Sequence, residues 1–303
     1  MPGLGAIFDE DAELYHRARP GYPLALFDNL GDLADIGPGA RVAEIGPGTG
    51  QATSALVARG AHVVGIEPGP TVAGVLRRSM AAASVTVVVS AFEDWPFPAE
   101  PFDTLAAFTA WHWLDPAVRT PKAAAALREG GALVTVTTGH VLGGTQEFFA
   151  DVQTCYERWD PSTPPGLMLQ PANDVGPVLD EVDDSALFLP AVRRRYHQDI
   201  TYTADGYLAV LGTYSGHRAL EPESRRQLLA CIGRLIDDSY GGTIVKRYLY
   251  ELRVARRAPG SPPSADGRRS QWSASSRYRR TGSAQLSADH CLTPPSSAKP
   301  RCS

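Results

Sequence analysis

The sequence predicts an α/β protein with a doubly wound, Rossmann-like sheet of seven strands, mostly parallel and with an antiparallel edge strand. A chain of 303 residues with 43% hydrophobic residues can bury the core that such a sheet needs. Apolar runs rich in β-branched residues recur about every 20 to 25 residues between residues 41 and 141, with helical stretches between them. A glycine-rich turn follows the first run, where doubly wound sheets bind their ligands.

The first five strands are predicted from these apolar runs. They lie at residues 41–45, 62–66, 85–89, 104–108 and 132–137. The runs are apolar throughout rather than alternating, which is typical of parallel strands that are buried on both faces.

Helices are predicted from proline and glycine at their ends. Residues 51–58 form a helix that stops before Gly60, and residues 121–128 form one that begins at a proline and stops before two glycines. Before the first strand, residues 11–18 and 23–33 form two helices separated by prolines. We expect this N-terminal segment to cap the sheet.

The remaining chain divides into three parts. Residues 142–193 contain a proline- and aromatic-rich stretch and are predicted to be an insertion after the fifth strand. Strands at residues 194–202 and 243–253 flank a helical region, 203–238, and complete the sheet. Beyond residue 257 the composition becomes rich in Ser, Pro and Arg, which predicts a disordered tail.

These parts give a predicted organisation of one α/β domain over residues 1–257 and a tail over residues 258–303. Within the domain, we expect a cap, a ligand-binding core, an insertion and the C-terminal part of the sheet, at residues 1–40, 41–141, 142–193 and 194–257.

The formal net charge of −4 conceals an uneven distribution. The tail carries +5, so the rest of the chain carries −9. An acidic body repels phosphate backbones, and no nucleic-acid partner is expected.

The four cysteines show no C-x-x-C or Cys/His spacing, so neither a metal site nor a disulfide framework is predicted for Cys155, Cys231, Cys291 and Cys302. Cys155 and Cys231 are interpreted as buried or incidental thiols. The N-terminus lacks a cationic segment followed by an apolar run, and no apolar run approaches about 18 residues. These features favour a cytoplasmic protein without a membrane span.

The glycine-rich turn Glu44-Ile45-Gly46-Pro47-Gly48-Thr49-Gly50 lies between a predicted strand and a predicted helix. Glycines there let a ligand approach the backbone, and a helix N-terminus offers free N–H groups. The dinucleotide fingerprint G-x-G-x-x-G is not matched, because Gly50 comes one residue early. A pyrophosphate cofactor is therefore less favoured, although a nucleotide-dependent oxidoreductase remains an alternative.

Glu67 ends the second predicted strand, where a carboxylate can accept hydrogen bonds from both hydroxyls of a ribose. NAD-binding folds place an acid at the same position. Glu67 therefore indicates an adenosine-containing ligand without identifying it.

The pattern E-x-G-x-G-x-G resembles motif I of the class I S-adenosylmethionine-dependent methyltransferases. The resemblance implies that Gly46, Gly48 and Gly50 pass beneath the amino acid and ribose of the cofactor. It also implies that Glu44 holds the loop, or the methionine ammonium group through water. The full set of cofactor-binding residues implied is Tyr15, Arg19, Glu44, Gly46, Gly48, Gly50, Glu67, Pro68, Ala91, Phe92, Glu93 and Thr109.

The loop after the third strand, Ser90 to Phe97, is similar to the adenine-recognition loop of that family. Many members have an aspartate where this chain has Ala91. The interpretation is that Phe92 stacks on or edges the adenine, and that Glu93 or Asp94 replaces the missing acceptor.

Two further segments are similar to type-11 methyltransferases of the trans-aconitate kind, so that the resemblance covers most of residues 8 to 257. Tyr15 to Pro23 matches Y-x-x-x-R-P-x-Y-P, which implies that Tyr15 and Arg19 close over the methionine end of the cofactor. Ala110 to Asp115 matches A-x-H-W-x-D, a stretch that lines the cofactor and acceptor pockets.

The residues implied for the acceptor pocket are Trp111, His112 and Trp113. His112 is a candidate general base or orienting residue, with simple packing as the alternative. The sequence thus predicts SN2 transfer of a methyl group to a small-molecule acceptor, and a non-catalytic S-adenosylmethionine-binding protein is the second alternative.

Overall fold

The computed structural model describes residues 11–96 and 98–260, so residues 261–303 of the predicted disordered tail lie outside the described residues. In the described part, seven strands form one sheet in the order β3-β2-β1-β4-β5-β7-β6. Strands β1 to β5 are parallel to their neighbours in this group, and β7 is antiparallel to both β5 and β6. The predicted fold class is confirmed.

The strands are β1 Arg41–Ile45, β2 His62–Glu67, β3 Val85–Val89, β4 Phe102–Phe108, β5 Leu127–Gly144, β6 Val192–Thr203 and β7 Thr243–Arg256. Strand β5 is much longer than the apolar run that predicted it. Beyond Thr137 it continues because β7 pairs with it, for example His140 with Tyr248. This pairing with a distant segment is invisible in the polar and glycine-rich sequence of that stretch.

The helices are α1 Ala12–Ala18, α2 Leu24–Ala34, α3 Thr53–Ala58, α4 Pro70–Ser79, α5 Pro116–Ala126, α6 Gln146–Asp151, α7 Gln153–Trp159, α8 Ala204–Leu211, α9 Ser215–Ala219 and α10 Pro222–Ser239. The prediction that α5 starts at Pro121 is wrong. It starts at Pro116, because the Asp115 carboxylate caps it by accepting a hydrogen bond from the Ala117 amide at 2.9 Å.

The two faces of the sheet carry separate cores. On one face, apolar residues of α2, α8 and α10, such as Phe27 and Ile232, pack with β5 and β7. On the other face, α5 and the loop after β3 pack on Leu105 and Leu133. Each fully buried Leu or Phe contributes about 1.5–3 kcal/mol. Helix α1 lies against α4 and α8, beside the sheet's carboxyl edge.

Cys155 of α7 and Cys231 of α10 form a disulfide, so the expectation of unpaired thiols at these two positions is wrong. The residues are 76 positions apart, and their Cα atoms lie 5.9 Å apart because α7 packs on α10. The two cysteines are not close in the sequence, so no motif indicates that they are in contact. Only helix packing brings the two sulfurs together.

Within residues 11–96 and 98–260, no helix is both long and apolar enough to cross a membrane. The same part of the chain holds no group of three or more His, Cys, Asp or Glu side chains arranged to bind a metal ion.

Candidate active site

The glycine turn follows β1 directly, at the carboxyl edge of the sheet. Gly46, Gly48 and Gly50 have φ angles of 60°, 58° and 102°, which glycine adopts without penalty. A Cβ on Gly46 would lie 2.8 Å from the Cβ of Ala110, so the turn passes too close to the residues after β4 for a side chain. Position 46 therefore requires glycine.

Glu44 fixes this turn from within. Its side chain is 1% exposed, and its Oε2 accepts a hydrogen bond from the Thr53 hydroxyl at 2.7 Å. Burial raises the pKa of Glu44 to about 7; the Thr53 hydroxyl opposes the rise and the Glu67 charge adds to it. The carboxyl group ties the end of β1 to the first residue of α3, which agrees with a loop-holding role.

Glu67, the last residue of β2, reaches across to the glycine turn. Its Oε2 accepts a hydrogen bond from the Gly48 amide at 3.2 Å, and its Oε1 accepts one from Gly69 at 3.0 Å. The carboxylate is 8% exposed. The structure thus places Glu67 and the turn in one constellation, with Pro68 exposed beside them.

Thr109 follows β4 with a φ of 56°, in the left-handed region that β-branched residues avoid. Such a conformation costs about 1–3 kcal/mol and persists only where surrounding contacts enforce it. Here the Thr109 amide donates to the Val136 carbonyl at 2.7 Å, and its hydroxyl lies 3.1 Å from the Tyr22 hydroxyl and 3.0 Å from that of Thr138. Three segments therefore meet at this strained residue.

The N-terminal segment covers the turn, as the resemblance implies. Tyr15 Cε1 lies 3.5 Å from the position of a Cβ on Gly48. The Arg19 guanidinium lies 5.1 Å from the Tyr15 ring centroid and 4.6 Å from that of Tyr214, and it donates to the Thr213 carbonyl at 3.1 Å. Arg19 thereby connects the segment over the glycine turn to the loop after α8.

The loop after β3 is fastened to α5 through Lys122. The Lys122 ammonium donates to the carbonyls of Glu93 and Trp95 at 2.7 and 2.5 Å, and Glu93 Oε1 accepts from the Asp115 amide at 2.9 Å. The Phe92 ring is 2% exposed and stacks on Trp95. This placement puts Phe92 in the core and lends no support to stacking on adenine. An adenine contact by Ala91, Glu93 or Asp94 stays a prediction.

The residues Trp111, His112 and Trp113 form a short 3-10 turn whose side chains diverge. Trp111 is buried, and its indole N–H donates to Asp180 of the insertion at 3.0 Å. His112 is exposed and its ring centroid lies 4.9 Å from that of Trp113, which is 37% exposed. Their shared role in an acceptor pocket stays a prediction, since Trp111 faces the insertion.

Ion pairs hold the insertion to the sheet. Arg253 of β7 forms two hydrogen bonds with the Asp180 carboxylate, and Arg119 of α5 forms two with Glu181. Burial alone raises the pKa of Glu181, but Arg119 outweighs it and holds that pKa at about 2. The sequence analysis missed these pairs, because they join residues at least 61 positions apart.

Sequence analysis also missed a polar cluster beside the carboxyl end of β5 and the amino end of β7, next to Thr138. The Lys246 ammonium donates to the Tyr214 hydroxyl at 3.1 Å, and the hydroxyls of Tyr202 and Tyr248 lie 3.0 Å apart. The sequence of β7 contains an indication of this cluster. Lys246, Tyr248 and Tyr250 stand at every second position of the strand, so their side chains must share one face of the sheet.

Residues 43–135 match a family model described as "Methyltransferase domain". Together with the sheet order, this match supports the expected class: residues 43–135 belong to a methyltransferase domain. The match gives no support to the oxidoreductase alternative. The finer resemblance to trans-aconitate methyltransferases stays a prediction.

Among individual proteins, an uncharacterized methyltransferase of Mycobacterium tuberculosis is 36% identical over 135 residues, which are 44% of this chain and 53% of that protein. One of Geobacillus kaustophilus is 31% identical over 141 residues, which are 44% of this chain and 65% of that protein. The chain thus spans about half the length of the mycobacterial relative.

A solved structure of a proposed type II methyltransferase from Anaeromyxobacter dehalogenans is similar over 80% of this chain and 99% of that chain. Its TM-score is 0.56 at 23% sequence identity. This similarity extends the shared fold beyond residues 43–135.

Proposed function

We propose that this chain is an active methyltransferase that transfers a methyl group from S-adenosylmethionine to a small-molecule acceptor. The observation that carries the proposal is the hydrogen bond from the Gly48 amide to Glu67 Oε2. It joins the two sequence features that are predicted to contact the ribose, the glycine turn and Glu67, at the carboxyl edge of adjacent strands β1 and β2.

The residues at this edge fit the cofactor. Gly46 passes too close to Ala110 for a side chain, which leaves bare backbone in the turn, and Glu67 supplies the acceptor for ribose hydroxyls. Tyr15 and Arg19 stand over the turn, where an arginine can bind the methionine carboxylate. When bound there, S-adenosylmethionine supplies a methyl group on a positively charged sulfur.

The protein's contribution to the transfer is alignment and exclusion of water. The N-terminal segment closes the site from one side, and the strained Thr109 with Tyr22 and Thr138 fixes the backbone beside the glycine turn. These residues would hold the nucleophile of the acceptor in line with the methyl group, which the cofactor would supply as an electrophile on its sulfonium sulfur. His112 is proposed to orient the acceptor or to take its proton where the acceptor is an alcohol or amine.

Calorimetric titration tests the cofactor assignment. We expect S-adenosylmethionine and S-adenosylhomocysteine to bind and NAD not to bind; binding of NAD alone would overturn the proposal. Catalysis is tested by incubating the protein with methyl-tritiated S-adenosylmethionine and a cell extract. Label in the low-molecular-mass fraction supports a small-molecule acceptor, label in protein or nucleic acid contradicts it, and binding without any transfer supports a non-catalytic protein.

A further inference from the structure

Lys246 is an isolated positive charge inside the fold. Its side chain is 4% exposed, and among the described residues no carboxylate lies within ion-pairing distance of its ammonium group. Its neighbours are aromatic: Nζ lies 4.9, 5.2 and 5.7 Å from the ring centroids of Tyr248, Tyr214 and Tyr207. Charges buried in proteins are ordinarily paired, so this arrangement holds a cation that lacks an anion.

Two polar side chains, those of Tyr214 and His140, lie near Lys246. Burial raises the pKa of Tyr214, but Lys246 and Arg19 outweigh that effect and lower it below the usual value. His140 lies beside Tyr248 in the β5–β7 pairing, and its Nε2 is buried without a hydrogen-bond partner among the described residues. Burial and the Lys246 charge hold the pKa of His140 well below its usual value, so the imidazole is neutral and can donate or accept.

The cluster is connected to the glycine turn by two short series of contacts. Along one, Tyr15 lies over Gly48, Arg19 contacts the rings of Tyr15 and Tyr214, and Tyr214 accepts from Lys246. Along the other, Thr138 contacts Thr109 and lies two residues before His140 on the same face of β5. The cluster therefore lies next to the N-terminal segment and to the residue after β4, both of which lie beside the glycine turn.

We propose that Lys246 and Tyr214 bind a carboxylate of the methyl acceptor. This inference rests on the proposed function and adds the chemical class of its substrate. A carboxylate supplies the negative charge that would pair with Lys246, and it accepts hydrogen bonds from the ammonium group and from the Tyr214 hydroxyl. The surrounding tyrosine rings form apolar walls for the body of the acceptor.

The alternative is that Lys246 serves only the packing of β7 against α8, with its charge held by the three rings. This alternative predicts no selectivity for charged ligands. The two possibilities differ in whether an acid binds better than a neutral molecule of the same shape.

The test uses the full chain saturated with S-adenosylhomocysteine and two matched pairs of probes: benzoate with benzamide, and hexanoate with hexanamide. Calorimetry is expected to show at least one acid binding about tenfold more tightly than its amide, as a buried charged hydrogen bond predicts. Preference in only the benzoate pair identifies an aromatic acceptor, and preference in only the hexanoate pair an aliphatic one.

Lys246→Met keeps most of the length of the side chain and removes its charge, and is expected to abolish the preference while S-adenosylhomocysteine affinity is unchanged. Lys246→Arg is expected to retain the preference. Arg247→Met is the matched control, because Arg247 is the next residue of β7 and its guanidinium pairs with Asp199 on the opposite face. Thermal unfolding checks that each variant is folded.

Equal binding of acids and amides by the wild-type protein, or an undiminished preference in Lys246→Met, overturns the inference and leaves the proposed function intact. Failure of the wild-type protein to bind S-adenosylhomocysteine overturns the proposed function instead. The same titrations run without S-adenosylhomocysteine then report on Lys246 alone.

Discussion

Glu67 and Gly48 are joined by a hydrogen bond of 3.2 Å, although they belong to different strand ends and lie 19 residues apart. The bond places a carboxylate against a turn whose three glycines all have positive φ angles, which glycine adopts without penalty. Glu67 therefore has two roles, one in holding the turn and one in the proposed contact with ribose.

Replacing Glu67 by Ala should remove both roles, and we expect at least a tenfold loss of S-adenosylhomocysteine affinity, since two hydrogen bonds to a charged acceptor are lost. Calorimetry measures it. Glu223→Gln, on the exposed surface of α10, is the control and should bind normally. Unchanged affinity in Glu67→Ala would show that the ribose contact is misplaced.

Gly46→Ala should destabilise the protein and weaken cofactor binding. The new Cβ would lie 2.8 Å from Ala110 Cβ at a φ of 60°, and the left-handed conformation alone costs about 1–2 kcal/mol. Urea unfolding and calorimetry measure the two effects. Gly176→Ala, where no atom lies within 4 Å of the new Cβ, should leave both unchanged. Equal behaviour of the two variants would contradict the tight turn.

Glu44 should make stability depend on pH. Its pKa is raised from 4.5 to about 7, so between these values the native state holds a proton that the unfolded state has lost. Stability therefore falls as the pH rises through this window, by up to about 3 kcal/mol for a shift of this size.

Glu44→Gln keeps an oxygen that can accept from Thr53 and removes the titration. The variant should match the wild-type protein near pH 4 and exceed it in stability at pH 8, as measured by urea unfolding of the cofactor-free protein. A stability difference that does not change between these pH values would refute the assignment of a raised pKa.

Reduction of the Cys155–Cys231 disulfide should lower the free energy of unfolding. Cross-linking residues 76 positions apart restricts the unfolded chain, and such links contribute about 2–4 kcal/mol. Thermal unfolding with and without dithiothreitol measures the effect. The Cys155→Ala/Cys231→Ala double variant is the control and should not respond to the reductant. An equal response of both proteins would place the effect at other cysteines.

Much of the fold could be predicted because its signals are local. Strands β1 and β3 have the predicted bounds, since each is one uninterrupted apolar run. The start of α5 was missed because Pro121 was taken for its first residue, whereas Asp115 and Pro116 form the stronger N-terminal signal.

Within the site, the glycine turn and Glu67 were found from the sequence, since each stands at a strand end and its chemistry depends on residue type and short spacing. The Trp111, His112 and Trp113 stretch was found as a motif. The directions of the three side chains could not be predicted from the motif, because Trp111 is oriented by its contact with Asp180, 69 residues later in the chain.

The sequence by itself predicted the class of protein and the proposed cofactor-binding residues, because strand positions, glycine spacing and the carboxylate at a strand end are encoded in short stretches of contiguous residues. Tertiary structure decided three contacts between segments that are distant in the sequence: Lys246 with Tyr214, Arg119 with Glu181, and Cys155 with Cys231. Each pair joins segments at least 32 residues apart, so its existence depends on how helices and strands pack rather than on any local pattern.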